Sequence, residues 1–519
     1  MHFIDRIDPF ASEEPTPEGV PRSRGLGTRP YADLFSVAEI EQSSLVRALY
    51  VALLIGFYAT FDQVSPTRAR TIGPAVPWPS FTSALWTWVP MGPHAQGIFH
   101  IGLITLTVLA AFAVMARRWE LGQLILLVLF VVKGWFIVVR ADLWADCHLL
   151  HMMCAAIFVF GEDRLYWIRR FLVLFYVLSG AAKLSSGWTA GTYFSAIQGG
   201  LIFVPDRIIP LASNLALLVQ LVISYFLLST NWTLQRVSLC AFVLFNLYAV
   251  AFAGFLFPMI ALPLLLVCFC PRVVPAEHPR HWKSLVPVAL LGMILLAQGA
   301  SFLSPHDPYL TNIGSRFALK SFDANHQFIV SQTVTFKDGS TDKTYAAGYG
   351  ANYKPEPALA YYQIKRLWCK KPNVVSVALQ LDSSINGGPF YRVVDVPNMC
   401  SVAFHAFGAN DWIKRSAEDA AVVGYPVKDE EDGARLLVEK EPFPTRLDAA
   451  TGHLLIVPTP MATNAPMTVS PLQQGLLRHE RMLRSAWIGL SLIALAYLLL
   501  SERKRAHARR ARTSTPVAI

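Results

Sequence analysis

The sequence predicts a polytopic α-helical membrane protein with about 10 transmembrane helices and an extracytoplasmic α+β domain. Of its 519 residues, 54% are hydrophobic and 15% are charged, whereas soluble proteins carry about 25% charged residues. The apolar residues fall in long blocks, and a helix needs roughly 20 apolar residues to span a bilayer. One long polar stretch, residues 304–484, interrupts these blocks. This composition argues against a disordered chain, a collagen-like chain and an ordinary cytosolic enzyme.

Ten apolar runs supply the predicted helices. The fourth and the eighth are short, so each is alternatively a re-entrant or partly buried segment. The runs are Leu45–Phe61, Ile98–Met115, Leu121–Val139, His148–Phe160, Trp167–Leu184, Ile209–Leu228, Val237–Phe255, Phe257–Cys270, Val286–Leu303 and Ser485–Leu500.

The lysines and arginines of the short loops indicate the orientation, because membrane proteins keep these residues on the cytoplasmic side. With ten crossings, the Arg117–Arg118 turn, Arg164, the loop 270–283 and the basic tail all fall on the side of both termini. We therefore predict five segments. They are a polar cytoplasmic segment 1–43, a helical membrane domain 44–303, the extracytoplasmic domain 304–484, a transmembrane helix 485–501 and a basic cytoplasmic tail 502–519.

The charge balance fits a membrane partner rather than a nucleic acid. The net charge is +10, and residues 502–512 carry six bases against one acid. Such a tail acts as a topogenic signal next to membrane lipid. The start of the chain lacks the short apolar core of a signal peptide. A bacterial inner membrane suits these features.

The polar stretch 304–484 has the pattern of an α+β domain. Alternating strands are predicted at Phe328–Phe336 and Lys343–Tyr349 around an Asp338–Gly339 turn. A helix at Pro357–Lys370 and strands at Val374–Leu381 and Phe390–Val396 follow.

The stretch 304–484 holds two of the seven cysteines, Cys369 and Cys400. In an oxidising compartment they would form a disulfide, and the alternative is two buried thiols.

Ionisable residues inside membrane helices are costly and are therefore the first candidates for chemistry. Lys183 closes the fifth helix, and Trp188 follows. The side chain either reaches out to the interface or lies under protein, where exclusion of water would favour a neutral amine able to act as a base. His148, which opens the fourth helix, is predicted at the same depth as Lys183.

Three other sets of polar residues in the helices need partners. Cys147, His151 and Cys154 share a helix face, but structural metal sites usually need four ligands and no second cluster matches, so no metal is predicted. Lys133 lies well inside the third helix, with Asp142, Asp146 or a carbonyl as candidate partners, in either an ion pair or a proton path. Asn246 has the character of a residue that bonds helices together.

The segment 175–191, FYVLSGAAKLSSGWTAG, resembles the vitamin K-dependent gamma-carboxylase family and its bacterial HTTM relatives. Lys183 falls on the family's base and His148 on its histidine near the same site. The segments Ser384–Asn386 and Tyr391–Asp395 are similar to the family's external strand and its Arg/Asp segment. The resemblance covers about residues 45–396. A histidine that the family has near the seventh helix is absent, with Leu244, Phe245 and Asn246 there instead, and the external part is shorter.

The resemblance implies a quinone-linked carboxylase-like enzyme of the carbon–carbon lyase class. Lys183 would activate a reduced vitamin K-type naphthoquinone, with O2 and CO2 as co-substrates and His148 as an orienting or charge-stabilising partner. Trp188 and Asn246 would contribute to cofactor binding. The external domain would present an exported peptide or protein substrate. The alternative function is a non-enzymatic maturation or export factor that binds a secreted peptide in the same groove.

Overall fold

A computed structural model describes most of the chain. The described residues are 37–64, 93–139, 146–184, 186–195, 201, 203–253, 255–271, 285–303, 305–313, 318–319, 324, 326–350, 357–386, 389–405, 409–423, 445–447, 454–456 and 470–513. Residues 1–36 of the predicted N-terminal segment, Asp142 and most of the basic loop 270–283 lie outside them.

Residues up to 303 contain a bundle of apolar helices, and each of the first nine predicted runs overlaps helical structure. In chain order the helices are α1 (Val37–Gln42), α2 (Ser44–Val64), α3 (Pro93–Met115), α4 (Trp119–Val139), α5 (Asp146–Phe160), α6 (Arg164–Ala182), α7 (Ser186–Thr189), α8 (Thr192–Ser195), α9 (Ile209–Leu218), α10 (Ser224–Phe226), α11 (Trp232–Ala253), α12 (Leu256–Phe269) and α13 (Leu285–Leu303).

Several of these helices have the length and composition of membrane spans. In the described part of the chain, seven helices are long and apolar enough to cross a membrane, while α5, α12 and α13 are shorter apolar helices. Large apolar side chains such as Ile98, Phe112 and Leu296 lie on the outside, at 72, 58 and 74% exposure. A helix satisfies its own backbone groups, so such a surface is stable in lipid. The protein is therefore an integral membrane protein.

The sixth predicted run is not one regular helix. A five-residue π-helix, Val219–Ile223, separates α9 from α10. Single-turn π segments are rare inside α-helices and occur frequently at functional sites. The apolar pattern predicted the helix but carried no signal for this widened turn.

The chain ends in a helix longer than the predicted run. After α16 (Pro471–Arg478), whose first turn is capped reciprocally by Ser470 and Gln473, α17 covers Glu480–Thr513. As far as Thr513, the backbone of the predicted basic tail thus continues the helix of the last apolar run.

The sheet domain, residues 305–423, follows the predicted order of strands and helix. It contains α14 (Pro308–Thr311), β1 (His326–Phe336), β2 (Thr341–Gly350), α15 (Pro357–Leu367), β3 (Val374–Ile385), β4 (Phe390–Val396) and β5 (Ala421–Val423). The antiparallel sheet has the order β2-β1-β3-β4-β5. Two further short strands, β6 (Thr445–Leu447) and β7 (Leu454–Ile456), pair with each other.

The first hairpin shows why the strand prediction succeeded. Gly339 has φ +82, a conformation that favours glycine, and Asp338 accepts hydrogen bonds from the Ser340 backbone N–H and hydroxyl. The turn therefore sets the β1–β2 register, with Thr335 opposite Thr341.

The predicted disulfide is present. Cys369, two residues after α15, is bonded to Cys400, four residues after β4. Both residues pack at the edge of the sheet-domain core, which includes Val334, Ile364 and Val377. The bridge therefore holds α15 against the end of the sheet.

Candidate functional site

Lys183 lies under protein rather than reaching out to the interface. It caps α6, and its backbone N–H donates to the Gly180 carbonyl at 3.0 Å. The side chain is only 4% exposed. Its Nζ donates to the Ser179 hydroxyl at 2.7 Å and to the Ser179 carbonyl at 3.0 Å. Of the two alternatives left by the sequence, the structure shows the buried one.

The π-helix packs against the turn of α6 that precedes Lys183. A Cβ placed on Gly180 would lie 2.9 Å from the Gln220 Cβ and 3.0 Å from two carbons of Leu221. A side chain at position 180 would therefore push the two elements apart. Gln220 is buried, and within the described part of the chain its Oε1 has no hydrogen-bond partner.

An aromatic cluster forms one wall beside Lys183. The Lys183 Nζ lies 5.6 Å from the centre of the Trp188 ring. Trp188 stacks on Tyr193 with their ring centres 4.8 Å apart, and Phe194 packs edge-on against both rings. All three aromatic side chains are buried. The Trp188 ring therefore covers one side of the Lys183 Nζ.

The sheet domain covers this part of the membrane domain. Asn386, at the end of β3 and with φ +52, packs onto Gly187 so closely that a Cβ there would overlap its amide group. On the other side, the Tyr309 hydroxyl donates to the Ala182 carbonyl at 3.4 Å. Lys183 follows Ala182 directly, so the sheet domain contacts both sides of the lysine along the chain.

The structure places His148 in the first turn of α5, fully buried. Helix α5 packs against α6, which carries Lys183. The shared depth of His148 and Lys183 stays a prediction.

Asn246 bonds two helices together. From α11, its Nδ2 donates to the Tyr176 hydroxyl of α6 at 3.2 Å and to the Phe242 carbonyl at 2.8 Å. This is the helix-bonding role that the sequence indicates. Its part in cofactor binding is untested.

Lys133 has different partners from those that the sequence offered. Its Nζ lies 2.9 Å from the Thr60 hydroxyl and 2.7 Å from His151 Nδ1. These partners differ from two that the sequence offered, Asp146 and a carbonyl, and the third candidate, Asp142, lies outside the described residues. Thr60 gave no signal in the sequence, because threonine is common in membrane helices.

Two positions around Lys183 were also not identified from the sequence. Gln220 and Tyr309 acquire their place only through the packing of distant segments. Within the described residues, no group of three or more His, Cys, Asp or Glu side chains could hold a metal ion.

No protein-family model, no curated protein and no solved structure matches this chain.

Proposed function

We propose that the protein is a quinone-linked, carboxylase-like membrane enzyme that modifies an exported peptide or protein. The observation that carries this proposal is the enclosure of Lys183 between Ser179, Trp188 and the sheet domain. A lysine enclosed in this way is the arrangement that a membrane-embedded base requires. The resemblance of residues 175–191 to the gamma-carboxylase and HTTM family supports the same role.

The residues around Lys183 suit a flat, apolar hydroquinone. The buried rings of Trp188, Tyr193 and Phe194 form an aromatic wall, and such walls bind aromatic ligands well. When bound, a reduced naphthoquinone supplies, together with O2, the strong base needed to remove a proton from a weakly acidic carbon. Asn246 lies one helix away and would contribute through the Tyr176 hydroxyl.

Lys183 would act at Nζ. The neutral amine accepts a proton from a ligand hydroxyl, and the Ser179 hydroxyl and carbonyl then accept hydrogen bonds from the resulting ammonium. His148 would orient or stabilise charge at the same depth. The sheet domain would present the peptide substrate, and CO2 would react at its deprotonated carbon.

This function requires a defined orientation of the chain in the membrane. We propose ten crossings in a bacterial inner membrane, with both termini cytoplasmic and residues 304–484 extracytoplasmic. The basic segments support this orientation.

The test uses the full chain in lipid nanodiscs with a reduced naphthoquinone, oxygen and labelled bicarbonate. Quinone epoxide is measured for the wild type, for Lys183→Met and for Lys371→Met, which makes the same change at an exposed lysine of the sheet domain. We expect Lys371→Met to match the wild type. The rate of epoxide formation by Lys183→Met should be at least about a hundredfold lower than that of the wild type, because a positioned base accelerates a reaction by about 10² or more.

Folding of Lys183→Met is checked by its unfolding midpoint. A folded Lys183→Met variant with full activity would refute the role of Lys183. No epoxide from the folded wild type with any reduced quinone would favour the second candidate, a non-enzymatic maturation or export factor. The hydrogen bonds of Lys183 to Ser179 on its own helix also fit that candidate, in which the lysine only packs.

A further inference from the structure

A second buried polar cluster lies in the membrane domain and shares no residue with the Lys183 site. It joins Thr60 of α2, Lys133 of α4 and His151 of α5. Lys133 is 2% exposed, and Thr60 and His151 are fully buried. Buried ionisable groups at this depth are costly and usually functional.

The hydrogen-bond partners determine which nitrogen of His151 carries the proton. His151 Nε2 lies 2.9 Å from the Leu53 carbonyl. A carbonyl only accepts, so Nε2 must carry the hydrogen and donate it. In the neutral imidazole Nδ1 then has a free lone pair and accepts from Lys133.

Thr60 is likewise an acceptor toward Lys133. Its hydroxyl lies 2.9 Å from the Gly56 carbonyl and 3.1 Å from the Phe57 carbonyl, so its one hydrogen is donated within α2. The oxygen lone pair that remains accepts from Lys133 Nζ. Lys133 therefore faces two acceptors, the Thr60 oxygen and His151 Nδ1.

A glycine makes room for this arrangement. A Cβ on Gly56 would lie 2.3 Å from His151 Cδ2 and 2.5 Å from its Nε2. The imidazole thus crosses α2 where the helix has no side chain. His151 also packs edge-on against Phe57, with ring centres 4.4 Å apart.

No carboxylate pairs with Lys133 in the described part of the chain. The titratable side chains that interact electrostatically with Lys133 are Cys147 and His151, both from α5. His148 interacts electrostatically with His151. Asp146, the first residue of the same helix, interacts electrostatically with Cys147. The helices α2 and α3 present Thr60, Phe57, Phe61 and Leu103 to this region.

A small apolar cavity adjoins Lys133. Lys133 and Thr60 line it, together with Phe57, Phe61, Leu103, Leu129 and Val132. A neutral lysine amine has two N–H donors, and the two acceptors satisfy both. An ammonium has a third N–H, for which the described part of the chain places no third acceptor within hydrogen-bond distance of Nζ.

We propose that Thr60, Lys133 and His151 form an internal proton-binding site, whose ligand is one proton at Lys133 Nζ. Uptake adds one proton and one positive charge to Nζ and breaks no covalent bond. This site is independent of the proposed enzymatic function.

The test compares the full-length wild type with Lys133→Met by equilibrium unfolding in mixed micelles, from about pH 6 to about pH 9. In the unfolded chain Lys133 is protonated over this range. If Nζ has released its proton in the folded protein, unfolding takes one up, and the wild type gains stability relative to Lys133→Met as the pH rises. We expect the ratio of the two unfolding constants to change by up to about tenfold per pH unit.

Lys371→Met is the matched control, because it removes an exposed lysine. The ratio of its unfolding constant to that of the wild type should not vary with pH. If Lys133→Met does not fold, Lys133→Gln replaces it, since the amide is uncharged and keeps N–H donors. A ratio independent of pH in the folded variant would overturn the proposal.

Discussion

Single glycines allow neighbouring segments to approach closely at the Lys183 site and at the cluster of Thr60, Lys133 and His151. Gly56 admits the imidazole of His151, and Gly180 admits the π-helix beside the turn before Lys183. Gly187 admits Asn386 of the sheet domain. Because side chains in a packed interior have little room to shift, one added methyl group at such a position displaces its neighbour.

Gly187→Ala is expected to weaken the contact between the sheet domain and the membrane domain. Overpacking of this kind costs about 1–3 kcal/mol. In the double variant Gly187→Ala/Asn386→Gly, the clashing amide is gone and a glycine occupies the left-handed conformation of position 386. We expect most of the lost stability to return, as measured by equilibrium unfolding. A Gly187→Ala variant that is as stable as the wild type would contradict the close approach of Gly187 and Asn386.

His306 should make the sheet domain sensitive to acid. Its Nε2 accepts the Asn410 backbone N–H at 3.2 Å, and its Nδ1 donates to the Lys414 carbonyl at 3.4 Å. Burial lowers the pKa of His306 below its usual value of 6.5, although the Lys414 carbonyl partly opposes this. The unfolded chain therefore binds the proton first, and the contribution of His306 to stability is lost as the pH falls below about 6.5.

The measurement for His306 is the unfolding of the wild type and of His306→Gln between about pH 5 and about pH 8. We expect the wild type to lose stability on acidification and the variant to lose less. Equal losses of stability in the two proteins would show that protonation of His306 does not cause the sensitivity to acid.

At the scale of elements, hydrogen bonds and ion pairs between distant segments hold helices and strands in place. Glu39 of α1 accepts the Arg164 backbone N–H at 2.9 Å, and the Arg164 guanidinium donates to its other oxygen at 2.8 Å. The same guanidinium donates to the Phe158 carbonyl at 2.6 Å. The short helix α1 is thereby attached to the start of α6. In the sheet, Arg392 of β4 makes a two-bond contact with Asp382 of β3.

Removal of the disulfide is expected to destabilise the sheet domain. The bridge joins residues 31 apart, and the chain-entropy account gives about 3–4 kcal/mol for a loop of this length. The double variant Cys369→Ser/Cys400→Ser should unfold at lower denaturant concentration than the oxidised wild type. The reduced wild type should behave like the variant, and a variant as stable as the oxidised protein would show that the bridge adds nothing.

At the scale of the whole molecule, the exposed apolar helices and the polar sheet domain need different surroundings. Large apolar side chains cover the outside of the helices, so lipid must surround them. The sheet domain has its own core, made by β1, β3, β4 and α15. The two parts meet at the residues flanking Lys183.

The proposed topology predicts that Asp338 and Arg117 face opposite sides of the membrane. Single cysteines at these two positions, in a chain with Cys240 and Cys270 replaced by serine, are labelled with an impermeant thiol reagent in intact cells. We expect Asp338→Cys to react from outside and Arg117→Cys only after lysis. Labelling of both from the same side would contradict the ten crossings.

The sequence by itself determined the elements of this protein. Apolar runs long enough to span a membrane, the alternating strands and the Asp338–Gly339 turn are local signals, since periodicity and turn chemistry depend on neighbouring residues. The bounds of β4 were correct for the same reason. The pairing of Cys369 with Cys400 was correct because residues 304–484 contain only these two cysteines.

Only the tertiary structure decided what each buried polar group contacts. Lys133 is 73 residues from Thr60 and 18 from His151, and Tyr309 is 127 from Ala182. Local periodicity cannot encode such pairs, because they depend on how helices pack and on where a glycine lets two backbones approach. The physical reason is that a buried donor must find an acceptor somewhere in the folded chain, and the fold, rather than the neighbouring sequence, supplies it.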